Sequence, residues 1–176
     1  MFRIGIGLDS HRIRFKTSLD ISKQGGKTLK ARLKGEKNLI LGGVEVRQDC
    51  YFLADSDGDV VLHSLSNALS TAIGGGSLDT WAGPMFKKGI KDSREFLKAI
   101  LKKVKAKGFR ISNVAIMVEG QKPKLEPHRV KMQLSLAKLL QLDKQDIGIA
   151  FTTGQDLTPF GKGQGIQAFS TILLNK

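Results

Sequence analysis

Three side chains of this sequence have the types and spacing to hold a metal ion. Asp9 and His11 are two residues apart after a stretch in which apolar residues and glycines alternate, and side chains two apart in a strand point to the same face. His63 follows the turn signal Ser-Asp-Gly-Asp at 56–59 and lies at the start of a helical pattern. Zinc accepts two imidazoles and one carboxylate, and three protein ligands leave its fourth position open for water or a phosphate oxygen.

The alternative is that these residues are structural, because an Asp-x-His pair is common and a lone helical histidine is usually a packing residue. The sequence has only three histidines, and two of them flank its sharpest turn signals. That distribution favours the metal hypothesis. We interpret the third, His128, as structural, since it follows Pro127 near the start of a predicted helix.

The elements that would carry these residues follow from periodicity. A strand with period-2 alternation is predicted to end near Asp9, and a helix over about 60–73 has Asp59 as its N-cap. Further elements are a hairpin over 38–46 with its turn at Gly42 and Gly43, helices after Asp92 or Ser93 and after Pro127, strands at 114–118, 147–151 and 166–174, and an irregular stretch at 77–91. This order predicts an α/β sandwich, with helices packed on one face of a mixed β-sheet.

The composition bounds the class of protein. A chain of 176 residues with 40% hydrophobic residues suits a single folded domain. Its one cysteine, Cys50, cannot form an internal disulfide, no apolar run approaches the roughly 18 residues of a membrane span, and the N-terminus lacks a secretory pattern. We therefore expect a soluble, cytoplasmic protein with no membrane partner.

The formal charge of +13 attracts anions, either nucleic acid or phosphorylated metabolites. Basic residues concentrate in 14–37 and 87–107 without interleaved aromatic residues, so platforms for base stacking are absent. We interpret both stretches as solvated surface, with weak nucleic-acid binding as a side effect of charge. The first lies in a predicted basic loop insertion at about 12–38, which we expect to be long and mobile.

Five motifs in order along the chain resemble those of one family. They are R-I-G-I-G-L-D-S-H at 3–11, S-D-G-D-V-V-L-H at 56–63, D-S-R at 92–94, K-P-K-L-E-P-H at 122–128, and T-T at 152–153 with G-K-G-Q-G at 161–165. Together they are similar to the 2-C-methyl-D-erythritol 2,4-cyclodiphosphate synthases of the non-mevalonate isoprenoid pathway. The resemblance covers most of the chain except the insertion and residues 74–91.

The resemblance implies a specific reaction. Family members are homotrimeric phosphorus–oxygen lyases with active sites between subunits, so residues 1–176 would form a single catalytic domain that assembles as a trimer. In their substrate, 4-CDP-2-C-methyl-D-erythritol 2-phosphate, the 2-phosphate attacks the diphosphate, which gives the 2,4-cyclodiphosphate and CMP. The resemblance implies Zn²⁺ on Asp9, His11 and His63, and a second divalent ion, Mg²⁺ or Mn²⁺, on the diphosphate.

The resemblance also implies the residues of the site. Thr153 matches a threonine that orients a phosphate in the transition state, and Asp55 stands where the family has a catalytic histidine. Residues 120–126 match the cytosine pocket, with Lys124 near a phosphate. The full set of expected substrate-binding residues is Asp9, His11, Asp55, Ser56, Gly76, Asp79, Gly120, Pro123, Lys124, Leu125, Glu126, Thr152, Thr153, Gln155 and Lys162.

Several positions depart from the family pattern. Gln155 replaces the Glu that binds the second metal, and an amide oxygen is a weaker Mg²⁺ ligand than a carboxylate. Lys162 and Gln164 replace an Arg and a Glu. The acidic residue that contacts the ribose would fall at 74–76, where there is none, so Asp79 is the nearest substitute. Two alternatives stay open: a nucleotide-binding relative with weak turnover, and a basic nucleic-acid-binding module in which the histidines are structural.

Overall fold

The structure is a computed structural model that describes residues 1–16 and 38–176; most of the predicted insertion, residues 17–37, lies outside the described residues. The strands are β1 (Phe2–Phe15), β2 (Leu39–Leu41), β3 (Val44–Arg47), β4 (Cys50–Phe52), β5 (Arg110–Glu119), β6 (Ile147–Thr152) and β7 (Gly165–Asn175). The α-helices of the described residues are α1 (Val60–Ala72), α2 (Leu78–Lys87), α3 (Ser93–Ala106) and α4 (Arg129–Leu140). Short 3₁₀ turns lie at Glu126–His128, Lys144–Asp146 and Gly154–Asp156.

The main sheet has five strands in the order β4-β1-β7-β5-β6. Strands β5 and β6 run parallel, and the β1–β4, β1–β7 and β5–β7 pairs are antiparallel. Helix α1 lies across β1 and β7, and α4 packs against β6. The side chains of β5 that face these helices, Val114, Ile116 and Val118, are buried. The predicted mixed sheet with helices on one face is confirmed.

The opposite face of the sheet carries large apolar side chains that are exposed. Leu8 of β1 and Met117 of β5 flank Phe169 of β7 in the sheet register, and all three are more than 40% exposed. Ile4 and Ile6 continue the same row along β1, at 72% and 62% exposure. This row is a contiguous apolar surface on one side of the sheet, which we call the open face.

Strand β1 is longer than predicted. We expected it to end near Asp9, but it pairs with β7 as far as Arg12 and then with β4 from Ile13 to Phe15. The sequence did not reveal the longer strand, because the period-2 alternation of apolar residues stops after Leu8. The hydrogen-bonded pairing with β7 nevertheless continues through the polar residues that follow. Residues 12–15, which we assigned to the insertion, therefore belong to the sheet.

The prediction of an irregular stretch at 77–91 was wrong, because α2 occupies most of it. Gly83 and Pro84 lie inside this helix, and both residue types are poor helix formers. Burial outweighs this propensity: Leu78 and Ala82 of α2 pack with the fully buried Phe96 of α3. Packing of one helix against the next is not visible in a local pattern.

The predicted helix caps and the hairpin are confirmed. Asp59 is the N-cap of α1 and accepts hydrogen bonds from the N–H groups of Val61 and Leu62, while Asp92 caps α3 by accepting from Arg94 N–H. Gly42 and Gly43 form the turn between β2 and β3 with positive φ angles of 60° and 74°. None of the helices in the described part of the chain is long and apolar enough to cross a membrane.

Candidate metal centre

Two glycines of β1 allow α1 to approach the sheet closely. A Cβ atom added at Gly5 would lie 1.9 Å from the carbonyl oxygen of Ala68, and one at Gly7 would lie 2.0 Å from that of Ser64. A Cβ atom essentially never lies so close to another heavy atom in a real protein. Glycine at these two positions therefore lets the backbone of α1 pack directly on the backbone of β1. The alternation of glycine with apolar residues near the N-terminus thus sets the distance between the strand and the helix.

This close approach brings the three predicted ligands together. Asp9 Oδ2 lies 2.9 Å from Nδ1 of His63 and 3.3 Å from Nε2 of His11. One potential ligand atom of each residue lies within 4.8 Å of the other two. Asp9 and His11 point from β1 to the helix side of the sheet, as their spacing of two predicted, and His63 projects from the first turn of α1.

The donor set fits a cation better than it fits hydrogen bonds alone. Nε2 of His11 is buried, and among the described residues it has no hydrogen-bond partner. Nδ1 of His63 and Nε2 of His11 both face the same carboxylate oxygen, which can only accept when it is ionised. Two imidazoles and a carboxylate around one point are the ligand types that zinc and similar divalent ions bind. These residues therefore form a possible metal site.

The two histidines differ in protonation. Burial lowers the pKa of His11, and the attraction of Asp9 only partly opposes this. Burial also acts to lower the pKa of His63, but its hydrogen bond with Asp9 and the charges of Asp9 and Asp59 outweigh it and raise that pKa. A neutral His11 and a readily protonated His63 follow from their unequal contacts with one carboxylate.

A second group of predicted residues lies at the ends of β5 and β6. Glu119 pairs with Thr152 in the parallel register, and Gly120 N–H donates to Thr152 O at 3.0 Å. The two loops that follow these strands thus start side by side. They carry the expected substrate-binding residues Gly120, Pro123, Lys124, Leu125, Glu126, Thr152, Thr153 and Gln155, of which Gly120, Pro123 and Leu125 are buried and the others exposed. Lys162 is exposed in the turn before β7.

The metal centre and these loops share one end of the sheet. Asp9 and Val118 both pair with Ala168 of β7, so they stand at the same level on β1 and β5. Two strand spacings separate them, roughly 10 Å. Both strands run in the same direction, since each is antiparallel to β7.

Comparisons with known proteins agree with this arrangement. A family model described as the YgbB family matches residues 2–175. The 2-C-methyl-D-erythritol 2,4-cyclodiphosphate synthase of Listeria monocytogenes is 32% identical over 179 residues, covering 100% of this chain and 100% of the relative. That of Chlamydia trachomatis serovar D is 35% identical over 175 residues, covering 99% of this chain and 88% of the relative. The chain belongs to this synthase family.

A solved structure extends the similarity to three dimensions. IspF of Plasmodium falciparum, in a CDP complex, has a TM-score of 0.77 and 29% sequence identity, and the alignment covers 98% of this chain and 95% of that chain. The resemblance found in the sequence motifs is confirmed. The alternative of a nucleic-acid-binding module is not favoured by any of these similarities.

The remaining residues expected at the site of a synthase lie before α1 and around the start of α2, and they differ in exposure. Asp55 is exposed before α1, whereas Ser56 is buried; its hydroxyl accepts from Gly58 N–H and lies 3.5 Å from Nε2 of His63. Gly76 and Asp79 are exposed around the start of α2. Burial lowers the pKa of His11, and Asp79 is among the charges that act against this, so its carboxylate lies within electrostatic range of the metal centre.

The sequence did not reveal the residues that contact His63 at Nε2, on the side of the ring away from Asp9. Ser93 Oγ lies 2.7 Å from Nε2 of His63, and Asp57 accepts hydrogen bonds from both the hydroxyl and the N–H of Ser93. Both residues belong to motifs that the sequence singled out, Ser-Asp-Gly-Asp and Asp-Ser-Arg, but apart from the family resemblance we interpreted these as turn and cap signals. No local signal joins Asp57 and Ser93 to His63, because each has an ordinary role in its own turn or cap.

Proposed function

We propose that this chain is a cyclodiphosphate synthase of isoprenoid biosynthesis. The 2-phosphate of 4-CDP-2-C-methyl-D-erythritol 2-phosphate attacks the diphosphate, and the bond to CMP breaks. The products are 2-C-methyl-D-erythritol 2,4-cyclodiphosphate and CMP. The observation that carries the proposal is the convergence of Asp9, His11 and His63 on one point, although Asp9 and His63 are 54 residues apart. Family membership over residues 2–175 supports the substrate class.

The attacking group is the substrate's own phosphate, so the protein needs no nucleophile. The barrier lies in bringing two anionic phosphates together and holding the attacking and leaving oxygens in line. We propose Zn²⁺ as the ion at Asp9, His11 and His63, with Mg²⁺ or Mn²⁺ on the diphosphate. When bound, these ions neutralise phosphate charge and polarise the attacked phosphorus.

The protein's own groups hold and orient the substrate. We assign the cytosine to the loop 120–126, whose buried Gly120, Pro123 and Leu125 form a fixed wall. The exposed Lys124 is free to reach a phosphate, and the Thr153 hydroxyl donates to the diphosphate. We assign Thr152 and Gln155 to the nucleotide as well, and Gly76 and Asp79 to the ribose. Ser56, in the turn at the start of α1, remains a candidate hydrogen-bond donor to a phosphate.

Asp55 changes the electrostatics of the site. A carboxylate beside the phosphates repels them unless a cation lies between, and Asp55 is exposed in the segment just before α1, the helix that carries His63. We propose that Asp55 acts through a bound cation in place of the family's histidine. Lys162 keeps the positive charge of the family's arginine without its bidentate geometry.

We propose that the chain assembles as a homotrimer through the open face of the sheet. Exposed apolar rows of this kind mark interaction surfaces, and Ile4, Ile6, Leu8, Met117 and Phe169 lie in one. Assembly would also bring the substrate-binding residues of neighbouring copies together. A single buried cysteine, Cys50, suits one catalytic domain working in a reducing compartment such as the cytoplasm.

The direct test measures zinc content and CMP release on the purified protein. His11→Ala and His63→Ala should lose both, because each removes one of three ligands. His128→Ala is the matched control for zinc content, since His128 lies in the 3₁₀ turn before α4 and outside the metal centre. A fully folded, zinc-loaded protein that releases no CMP from the CDP-linked substrate would refute the synthase assignment.

A further inference from the structure

The imidazole of His63 is held on both of its nitrogens. Nδ1 faces Asp9 at 2.9 Å on the side of the metal centre. On the far side, Nε2 lies 2.7 Å from the hydroxyl of Ser93, the first residue of α3. Ser93 is fully buried and His63 is 4% exposed, so water does not compete for this contact.

The direction of the hydrogen bond between Ser93 and His63 is set by Asp57. The Ser93 hydroxyl donates a short hydrogen bond to Asp57 Oδ1, and Ser93 N–H donates to Oδ2 at 3.1 Å. Asp59 N–H adds a contact to Oδ1 at 3.3 Å. An ionised carboxylate can only accept, so the single hydroxyl proton of Ser93 is committed to Asp57. Towards His63, the Ser93 hydroxyl can therefore act only as a hydrogen-bond acceptor.

It follows that Nε2 of His63 carries a hydrogen, and that Nδ1, which faces Asp9, is the ring nitrogen that can give up its proton and become a metal ligand. The nearby Ser56 hydroxyl lies farther from Nε2, at 3.5 Å, so the contact with Ser93 at 2.7 Å dominates. Nδ1 points at the position enclosed by Asp9 and His11. Groups behind a ligating histidine fix its tautomer and orientation and raise its basicity as a ligand.

We propose that Ser93, oriented by Asp57, is a positioning residue that holds His63 in the Nε2–H tautomer and so directs Nδ1 to the metal. This inference rests on the proposed metal role of His63. The chain of contacts joins three separate segments: the turn before α1, the first turn of α1 and the start of α3. The Asp-Ser-Arg and Ser-Asp-Gly-Asp motifs thereby act together to orient Nδ1 of His63 towards the metal.

The first experiment measures zinc affinity by competition with a chelator in the full-length protein. Ser93→Ala removes the acceptor of Nε2–H and should weaken zinc binding by about 10- to 100-fold. Ser66→Ala is the matched control: it removes an equally buried hydroxyl on α1 that donates only to Leu62 O. Unchanged affinity in a folded Ser93→Ala protein, with zinc still bound by the wild type, overturns the inference and leaves the synthase assignment standing.

The second experiment reads the tautomer itself. Nitrogen-15 NMR of the three imidazoles, assigned with His11→Ala and His128→Ala, should find His63 protonated at Nε2 in the metal-free wild type at pH 8. Asp57→Asn frees the Ser93 hydroxyl to donate to Nε2, so the Nδ1–H form should increase and zinc affinity should fall. This variant also serves if Ser93→Ala does not fold. A wild-type His63 that lacks a hydrogen at Nε2 contradicts the inference, whether or not the protein proves to be an active synthase.

Discussion

At the scale of single residues, the metal centre depends on an unequal pair of histidines around one carboxylate. His63 is buried and bonded to Asp9, which raises its pKa, while burial lowers the pKa of His11. In the metal-free protein, protonated His63 and Asp9 attract one another. That attraction stabilises the fold fully below His63's ordinary pKa of 6.5, and it is lost as the pH rises through the raised value.

Zinc binding should therefore depend on pH with the opposite sign. The ion displaces the proton of His63 but none from His11, which is already neutral, so about one proton is released per zinc. Below the pKa of His63, the apparent Kd should rise by up to about tenfold for each unit that the pH falls. Calorimetric titration at pH 6, 7 and 8, in buffers with different ionisation enthalpies, measures both quantities. A Kd that is constant across this range would contradict the assignment of the proton.

The residue types of the centre could be predicted from sequence, but their supports could not. Asp9 and His11 at a spacing of two, and His63 after a turn, carry a recognisable chemistry. Ser93 gives no such sign, because a serine at a helix start has an ordinary role as a cap. Its contact with His63 spans 30 residues and depends on how α3 packs against α1, which no local pattern reveals.

At the scale of elements, the distance between β1 and α1 is the critical dimension. Gly7→Ala would place a Cβ atom 2.0 Å from Ser64 O, so α1 would have to move away from the strand that carries Asp9. We expect a loss of about 1–3 kcal/mol in the free energy of unfolding together with weaker zinc binding. Urea denaturation and chelator competition measure the two effects.

Gly83→Ala is the matched control for this substitution. Gly83 lies inside α2, and nothing lies within 4 Å of a Cβ added there. Alanine is favoured over glycine in a helix interior, but Pro84 disfavours helical backbone at a preceding residue that has a Cβ atom, so the two effects oppose each other and this variant should change stability by less than about 1 kcal/mol and keep its zinc affinity. Equal effects of the two substitutions would show that close packing at Gly7 does not set the metal centre.

The N-cap of α1 also fastens the β2–β3 hairpin to the helix. The Asp59 carboxylate accepts from the N–H groups of Gly42 and Gly43 as well as from Val61 and Leu62. The cap itself was predictable from the Asp-Gly-Asp turn, but the hairpin contact was not, since it crosses 16 residues. One buried side chain therefore orders two elements that flank the metal centre.

Asp59→Asn should destabilise the protein far more than an ordinary cap substitution. An amide offers one acceptor oxygen and places N–H hydrogens against backbone donors, and a buried unsatisfied donor costs about 1–3 kcal/mol. Asp92→Asn at the partly exposed cap of α3 is the comparison. Asparagine caps a helix as well as aspartate, and the surface ion pair of Asp92 with Arg94 that it removes contributes little, so a small change is expected. Both are measured by urea denaturation, and similar losses would speak against the hairpin contact.

At the scale of the whole molecule, the two groups of site residues are set by the order of the strands. The metal centre and the loops after β5 and β6 lie at one end of the sheet, roughly 10 Å apart across β7. The open face beside them exposes a row of apolar side chains. The sheet and its covered face followed from periodicity, whereas the open face did not: alternation cannot distinguish a side chain in a core from one that meets another copy.

Ile6→Lys should therefore abolish assembly while leaving the fold of each chain intact. Ile6 is 62% exposed on the open face, so a lysine there has water around it in a single chain but would be buried without a partner charge in a trimer. Sedimentation velocity should find a trimer for the wild type and a monomer for the variant, with unchanged circular dichroism. Leu134→Lys, at a similarly exposed position on α4, should stay trimeric.

Because the substrate-binding residues would come from neighbouring copies, CMP release should fall with the loss of the trimer, whereas zinc bound by Asp9, His11 and His63 of one chain should be retained. Loss of zinc together with the trimer would mean that the metal centre is not complete within a single chain.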